Sequence, residues 1–197
     1  MRRLVDYVAP LLKNIIGTCW GIFFIVWLLA AIFTKRTVYH ESGVRRLRYL
    51  IPVVIGCYLV FRGYRLPPPF NVHLLPETDA ILVAAAILCV CGVTFCIWAR
   101  LVLGRNWSGT VTLKENHELI VRGPYRLVRH PIYTGLLTMM FGTWLERPHI
   151  GGLVGLFLVL ISLWIKLGYE EEVMRSQFPD EYPAYAERVK RIVPFLL

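Results

Sequence analysis

Five apolar segments dominate the first 167 residues of this chain and limit how it can fold more than any other feature. They are residues 15–33, 47–61, 80–103, 131–145 and 150–167. Hydrophobic residues make up 56% of the chain and charged residues 18%, against roughly 25% charged in an ordinary soluble domain. A small soluble core cannot bury such runs, whereas a lipid bilayer accommodates them as helices. We therefore predict an all-α integral membrane protein with about five transmembrane helices.

The fourth and fifth segments are joined only by Glu146-Arg147-Pro148-His149. Because so short a connection returns the chain directly, we expect a helical hairpin whose two outer ends lie at the same membrane face. Arg129-His130 and Tyr133 stand at the outer end of the fourth segment, and three glutamates, residues 170–172, follow the fifth. Ionisable groups gathered at a membrane boundary are typical of a functional site, so we predict one here.

The distribution of positive charge predicts how the chain is oriented. Of the 22 Lys and Arg residues, five lie at residues 35–48, six at residues 100–130 and five from Lys166 onward, which places 16 on one side of a five-span arrangement. Cytoplasmic loops carry the excess of Lys and Arg in membrane proteins. The predicted site therefore faces the cytoplasm, and the net charge of +9 reflects this bias.

Composition argues against several other classes of protein. No basic stripe interleaved with aromatic residues lies in a polar segment, so we expect no nucleic-acid partner. The five cysteines all lie in apolar segments and form no Cys-x-x-Cys motif, which is typical of buried free thiols. His40, His73 and His149 are isolated in loops, so we expect no metal site.

The polar end of the chain, residues 169–197, has apolar side chains at spacings of mostly three and four. This pattern predicts an amphipathic helix, with breaks at Pro179 and Pro183. The three glutamates at residues 170–172 would be repelled by anionic lipid, so we expect this helix to cap the polar site.

An ordered set of motifs runs through the second half of the chain. It comprises Gly123-Pro124-Tyr125-Arg126, Arg129-His130-Pro131-Ile132-Tyr133-Thr134-Gly135, Glu170-Glu171, Phe178, Tyr182, Tyr185, Arg191 and Pro194. In order and spacing, across about residues 103–194, this set resembles the isoprenylcysteine carboxyl methyltransferase family, and membrane phospholipid methyltransferases share much of it. Pro179 and Gly168 depart from the family's usual Gly and Pro, and both departures concern backbone at helix ends.

The resemblance implies a single membrane methyltransferase domain over residues 1–197, with N-terminal spans in residues 1–103 and a catalytic half in residues 104–197. It also implies S-adenosylmethionine as cofactor, and the chain has no Gly-x-Gly-x-x-Gly motif of a Rossmann-type methyltransferase. The matching positions assign the cofactor pocket to His130, Tyr133, Glu170 and Glu171. Further cofactor positions are expected in the preceding loop at His117, Leu119, Val121, Gly123 and Tyr125.

The methyl acceptor implied by the resemblance is a lipid-like molecule that enters from the bilayer, and we favour a carboxylate of an isoprenylcysteine-type substrate. A carboxylate is already ionised at neutral pH, so it needs a cation to hold it and no base. Arg129 is the first candidate for this cation, followed by Arg191 and Arg188. We expect Asn106 and Trp107 to line the substrate entrance.

Three alternatives remain open on the sequence. The acceptor could be the amine of an ethanolamine phospholipid, in which case Glu172, His117 or Tyr125 would remove its proton. A membrane reductase of the sterol-reductase kind has a C-terminal region of similar layout and would bind NADPH. A non-enzymatic or haem-associated membrane protein would use His130 and His117 as axial ligands.

Overall fold

The computed structural model describes residues 2–32, 37–114 and 118–194 of the chain. The helices within these ranges are α1 Arg2–Ala31, α2 Gly43–Arg62, α3 Asp79–Leu103, α4 Pro131–Glu146, α5 Ile150–Gln177 and α6 Glu181–Arg188. Short 3-10 helices lie at Gly63–Arg65, Gly104–Asn106 and Gly123–Arg126. Two short strands, β1 Thr37–His40 and β2 Thr112–Lys114, complete the described structure.

Three of these helical segments are long and apolar enough to cross a membrane: Val8–Ala31, Asp79–Asn106 and Ile150–Gln177. Large apolar side chains such as Phe24, Leu28 and Phe157 are more than half exposed on their outer surfaces. Water disfavours an apolar surface of this extent, whereas lipid does not. The chain is therefore an integral membrane protein.

The two other segments that we predicted to span, residues 47–61 and 131–145, are also helical. The first belongs to α2, which carries Arg45, Arg46 and Arg48 in its first two turns, and the second belongs to α4, which has only 16 residues. A straight helix needs about 20 apolar residues to cross the hydrocarbon core, so length and composition do not by themselves make these two helices membrane spans.

Glycines bring the helices together in two closely packed pairs, α3 with α4 and α2 with α5. A Cβ atom added at Gly92 would lie 2.7 Å from the carbonyl oxygen of Gly135, and one added at Gly155 would lie 2.6 Å from the carbonyl oxygen of Gly56. Small residues allow helix backbones to approach this closely. The hairpin helices α4 and α5 contact each other less, so a space opens between the two pairs.

We expect Gly155→Ala to destabilise the protein by about 1–3 kcal/mol, because the added methyl group overpacks the contact between α2 and α5. Gly168 in the same helix is the matched control, since nothing lies within 4 Å of the position that its Cβ would take. Gly168→Ala should leave stability unchanged or raise it by up to about 1 kcal/mol through helix propensity. Thermal denaturation of both variants in detergent measures the difference, and equal midpoints would contradict the packing argument.

The prediction of an all-α chain misses a two-stranded antiparallel sheet formed by β1 and β2. The pairing extends beyond the strands, since the Glu41 N–H donates to the carbonyl of Val111 across 3.3 Å. Strands this short depend on a partner that is distant in sequence, which periodicity in one segment does not reveal. The sheet joins the connection before α2 to the loop that follows α3, at the end of the bundle where the polar residues lie.

The end of the chain also differs from the predicted amphipathic helix. Helix α5 continues through the three glutamates as far as Gln177, and Pro179 follows its C-cap residue, Phe178. Helix α6 is a separate helix of eight residues, with Pro183 in its first turn, where a missing N–H costs nothing. Beyond α6 the chain turns back, and the Arg129 and His130 N–H groups donate to the carbonyls of Lys190 and Arg191.

Candidate active site

A cavity of about 510 Å³ lies in the space between the helix pairs, at the end of the hairpin opposite its connection. Its polar lining comes from the start of α4 and the second half of α5, and includes His130, Tyr133, Lys166 and Glu170. Its apolar lining includes side chains that lie deeper among the helices, namely Phe23, Trp27, Leu50, Val53, Leu136 and Leu163. One continuous space therefore joins a charged region to a hydrocarbon-like region.

The charged region is built around Glu170. Its carboxylate accepts a hydrogen bond of 2.5 Å from the Tyr133 hydroxyl and lies 3.5 Å from Nδ1 of His130. The His130 and Tyr133 rings stack, with centroids 5.8 Å apart, because residues three apart project from the same face of the first turn of α4. The four-residue connection of the hairpin predicts these contacts, because it places the start of α4 beside the second half of α5.

The neighbouring carboxylate, Glu171, makes a different set of contacts. Its side chain is 2% exposed, and it accepts from Nε of Arg129 at 3.0 Å and from Nη2 of Arg191 at 2.9 Å. Nε2 of His130 lies 3.3 Å from the same carboxylate. Glu171 therefore ties α5 to the start of α4 and to the turned-back end of the chain.

The Arg129 guanidinium is occupied by these internal contacts. Its Nε and Nη2 both donate to Glu171, and its Nη1 donates to the carbonyls of Ala186, at 2.9 Å, and Val189. All three guanidinium nitrogens thus bind protein groups. Although Arg129 lines the cavity, its guanidinium makes contacts that join its own segment to α5 and to residues 186–189.

The two carboxylates also control the protonation of His130. Burial would lower the pKa of His130, but the hydrogen bonds with Glu170 and Glu171 and the charges of both outweigh burial, so its pKa is raised above 6.5. Each ring nitrogen faces one carboxylate, and only the imidazolium can donate to both. His130 therefore holds its second ring proton to a higher pH than a free imidazole does.

This arrangement predicts a pH-dependent stability. The pKa of His130 is higher in the folded protein than in an unfolded chain, so its contribution is complete below about pH 6.5 and is lost as the pH rises through the folded value. We expect His130→Gln to lower the thermal denaturation midpoint most near about pH 6 and progressively less toward about pH 9. A difference that does not change with pH would contradict the charged imidazolium.

Lys166 is a cavity residue that we did not predict as part of the site. Its side chain is 12% exposed, and its ammonium donates to the carbonyl of Gly109 at 2.9 Å and lies 3.8 Å from Glu170. The ammonium also faces the rings of Tyr49 and Tyr133, at 5.5 and 5.4 Å from their centroids. We placed Lys166 within the apolar segment 150–167 and used it only in the count of positive charges, yet a lone ionisable residue within such a segment is itself a signal of function.

The structure brings most of the predicted site residues to this cavity. Its lining includes Asn106, Trp107, Leu119, Tyr125, Arg129, His130, Tyr133 and Glu170. Glu171 and Arg191 lie directly behind that lining, where they bind each other. Gly123 stands at a turn with a φ of 60° beside Val102, which favours glycine.

The remaining predicted residues lie elsewhere or outside the described residues. Glu172 lies on the exposed side of α5, where its carboxylate is 3.3 Å from Nη1 of Arg45. Arg188 is exposed, and its Nε donates to the carbonyl of Ala184 within α6. Val121 is exposed as well. His117 lies outside the described residues.

Comparison with known proteins gives the cavity a family context. A probable protein-S-isoprenylcysteine O-methyltransferase from Oryza sativa subsp. indica is 35% identical over 96 residues, which are 47% of this chain and 50% of that protein. Protein-S-isoprenylcysteine O-methyltransferase B from Arabidopsis thaliana is 29% identical over 101 residues, 50% of this chain and 51% of that protein. The Schizosaccharomyces pombe protein-S-isoprenylcysteine O-methyltransferase is 31% identical over 99 residues, 47% of this chain and 41% of that protein.

The chain spans about half the length of the curated relatives that it matches. A family model described as phospholipid methyltransferase matches residues 80–181, which is just over half of the chain. The match runs from α3 through α4 and α5 to the start of α6, and so includes His130, Tyr133, Lys166 and Glu170. This chain therefore belongs to the phospholipid methyltransferase family.

Proposed function

We propose that this protein transfers a methyl group from S-adenosylmethionine to a carboxylate oxygen of a lipid-like acceptor, of the isoprenylcysteine type. The observation that carries this proposal is the cavity that joins the cluster of His130, Tyr133 and Glu170 to an apolar wall. Membership of a methyltransferase family and the names of the relatives support the same chemistry.

The residues at the polar end of the cavity fit S-adenosylmethionine. This cofactor carries an ammonium group and ribose hydroxyls that donate hydrogen bonds, and the Glu170 carboxylate is an acceptor for such donors. We assign the cofactor pocket to His130, Tyr133, Glu170 and the neighbouring Tyr125, with Leu119 on its wall.

Methyl transfer to a carboxylate needs positioning more than acid–base chemistry. When bound, the cofactor would supply a sulfonium methyl group: its carbon–sulfur bond would break as a carbon–oxygen bond formed, giving a methyl ester and S-adenosylhomocysteine with no proton transfer. The residues of the chain hold the acceptor oxygen in line and exclude water from the cavity. The apolar wall supports this role, since it binds the acceptor's hydrocarbon chain.

We assign recognition of the acceptor carboxylate to Lys166 instead of Arg129. All three nitrogens of the Arg129 guanidinium bind Glu171 or main-chain carbonyls, whereas the Lys166 ammonium, which lines the cavity, uses one of its three donors on the carbonyl of Gly109 and lies 3.8 Å from Glu170. Lys166 lies one helical turn before Glu170, so it joins the proposed cofactor pocket to the deeper apolar region. An ammonium in this position attracts a carboxylate and repels an amine that carries a positive charge.

Replacing Lys166 tests this assignment. We expect Lys166→Met to reduce kcat/KM for a carboxylate acceptor by roughly 10–100-fold, because a charge-assisted contact is lost, and Lys166→Arg to retain most of the activity. Affinity for S-adenosylhomocysteine, measured by calorimetry, should change much less in both variants. A Lys166→Met enzyme with wild-type kcat/KM would remove Lys166 from acceptor recognition.

The second candidate function is N-methylation of an ethanolamine phospholipid, which the description of the matching family favours. An amine acceptor needs a base, and the two candidates within the described residues, Tyr125 and Glu172, supply one poorly. Burial, with the nearby charge of Glu170, raises the pKa of Tyr125 above its usual value, so Tyr125 stays protonated at neutral pH. Glu172 is exposed beside Arg45.

A radiolabelled methyl-transfer assay distinguishes these two acceptors. We expect the purified protein to label N-acetyl-S-farnesylcysteine and to leave phosphatidylethanolamine unlabelled. The label should be released by mild base, because a methyl ester hydrolyses and a methylated amine does not. Labelling of phosphatidylethanolamine alone would replace our proposal with the second candidate, and labelling of neither would reject both.

We further propose that five helices, α1 to α5, cross the bilayer, with the cavity opening toward the cytoplasm and α6 capping it. The positive charges at residues 35–48 and 100–130 support this orientation. Tyr182 and Tyr185 of α6 line the cavity, which supports the capping role. The short α2 and α4 would cross as parts of closely packed pairs with the longer α5 and α3.

A further inference from the structure

Asn106 lies in the cavity wall with a buried oxygen that lacks a partner. The residue is 8% exposed, and its Oδ1 accepts no hydrogen bond from any residue that the structure describes. A buried carbonyl oxygen without a hydrogen-bond donor lowers the stability of the folded protein by about 1–3 kcal/mol. Because Asn106 lines the cavity, a donor carried by a bound molecule would remove this cost.

The position of Asn106 is set by contacts on both sides of it. Gly104 has a φ of 57°, which turns the chain sharply after α3. Arg100 donates to the carbonyl of Gly104 at 2.5 Å and to that of Ala30 at 2.7 Å, and its guanidinium lies 4.8 Å from the ring centroid of Trp107. Asn106 is therefore held between two anchored residues and not on a loose loop.

An aromatic surface lies beside Asn106 in the same cavity. The rings of Phe23 and Trp27 stack with centroids 4.1 Å apart, and Trp107 meets Trp27 edge-on at 6.3 Å. All three rings line the cavity. A rigid wall of this kind suits an unsaturated hydrocarbon chain, which makes extended contact with aromatic faces.

We propose that Asn106 is a specificity residue that accepts a hydrogen bond from an amide N–H of the methyl acceptor, while the acceptor's hydrocarbon chain lies on Phe23, Trp27 and Trp107. This inference rests on the proposed carboxylate methylation. An N-acylated amino acid carries its amide N–H and its carboxylate on one carbon. The loop that holds Asn106 also holds Gly109, the carbonyl partner of Lys166, so anchors for both groups lie close in the chain.

Two acceptors that differ only in the amide group test the proposal. They are N-acetyl-S-farnesylcysteine and S-farnesyl-3-thiopropionate, which keeps the carboxylate and the farnesyl chain. We expect the wild-type protein to prefer the amide acceptor by about tenfold in kcat/KM, the effect of one satisfied buried hydrogen bond. The preference should disappear in Asn106→Leu, which has similar volume and no acceptor, and persist in Asn106→Asp, which keeps an acceptor oxygen.

Each outcome bears on the proposal. Equal use of both acceptors by the wild-type protein would overturn it, even if Asn106→Leu did not fold. A loss of equal size on both acceptors in Asn106→Leu, with binding of S-adenosylhomocysteine intact, would reduce Asn106 to a packing role. If the wild-type protein methylated neither acceptor, the carboxylate methylation itself would fail, which is a distinguishable result.

Discussion

Glu170→Gln should weaken the binding of S-adenosylhomocysteine by roughly 10–100-fold, while Glu172→Gln leaves it unchanged. The change keeps the shape of the side chain and removes its charge. In the native protein the Glu170 carboxylate accepts from Tyr133 at 2.5 Å and faces His130 at 3.5 Å. A neutral amide at this position holds both partners less strongly and is a weaker acceptor for the hydroxyl and ammonium donors of the cofactor.

Glu172 provides a closely matched control for this prediction. It lies two residues further along the same helix, is exposed and pairs with Arg45 away from the cavity. Calorimetric titration in detergent measures both affinities, with thermal denaturation to establish that each variant is folded. An unchanged affinity in a folded Glu170→Gln protein, or equal losses in both variants, would contradict a cofactor pocket at Glu170.

The second large effect is expected at Glu171 and concerns the stability of the protein. Glu171→Gln should lower the thermal denaturation midpoint by on the order of 10 °C, because removing one partner of a buried ion pair costs about 3–5 kcal/mol. The buried Arg129 and the partly exposed Arg191 would then face a neutral amide. The segment that carries Arg191 would also lose its main side-chain contact with α5.

A double-mutant cycle of Glu171→Gln with Arg191→Gln checks this account. We expect the double variant to be more stable than the sum of the single effects predicts, because the second change removes a charge left unpaired by the first. Glu187→Gln, a change at an exposed residue of α6, serves as the control and should leave the midpoint within about 1 °C. A Glu171→Gln protein as stable as the control would contradict the structural role.

The different roles of the two adjacent glutamates could not be predicted from sequence. Neighbouring residues of a helix point about 100° apart, so at most one of them faces a given cavity directly. Which one does so depends on how α5 is rotated against α2, and that rotation is set by contacts such as those of Gly56 with Gly155. The motif Glu170-Glu171 indicated a shared pocket, whereas the structure separates the pair into a cavity carboxylate and a buried one.

The hairpin, by contrast, followed from sequence. The connection, residues 146–149, is so short that α4 and α5 must run antiparallel as neighbours, and this arrangement brings Tyr133 into contact with Glu170. The continuity of α5 did not follow, because we treated the apolar run and the amphipathic pattern after it as two separate helices. The backbone continues helically through residues 170–177, since charged residues such as Glu and Arg are good helix formers and Pro179 is the first breaker.

Parallel calorimetric titration of the wild-type protein with S-adenosylhomocysteine and with NADPH tests the central claim most directly. The cluster of His130, Tyr133 and Glu170 predicts saturable binding of S-adenosylhomocysteine and none of NADPH. Saturable binding of NADPH with no heat from S-adenosylhomocysteine would contradict the methyl-donor pocket and favour a reductase.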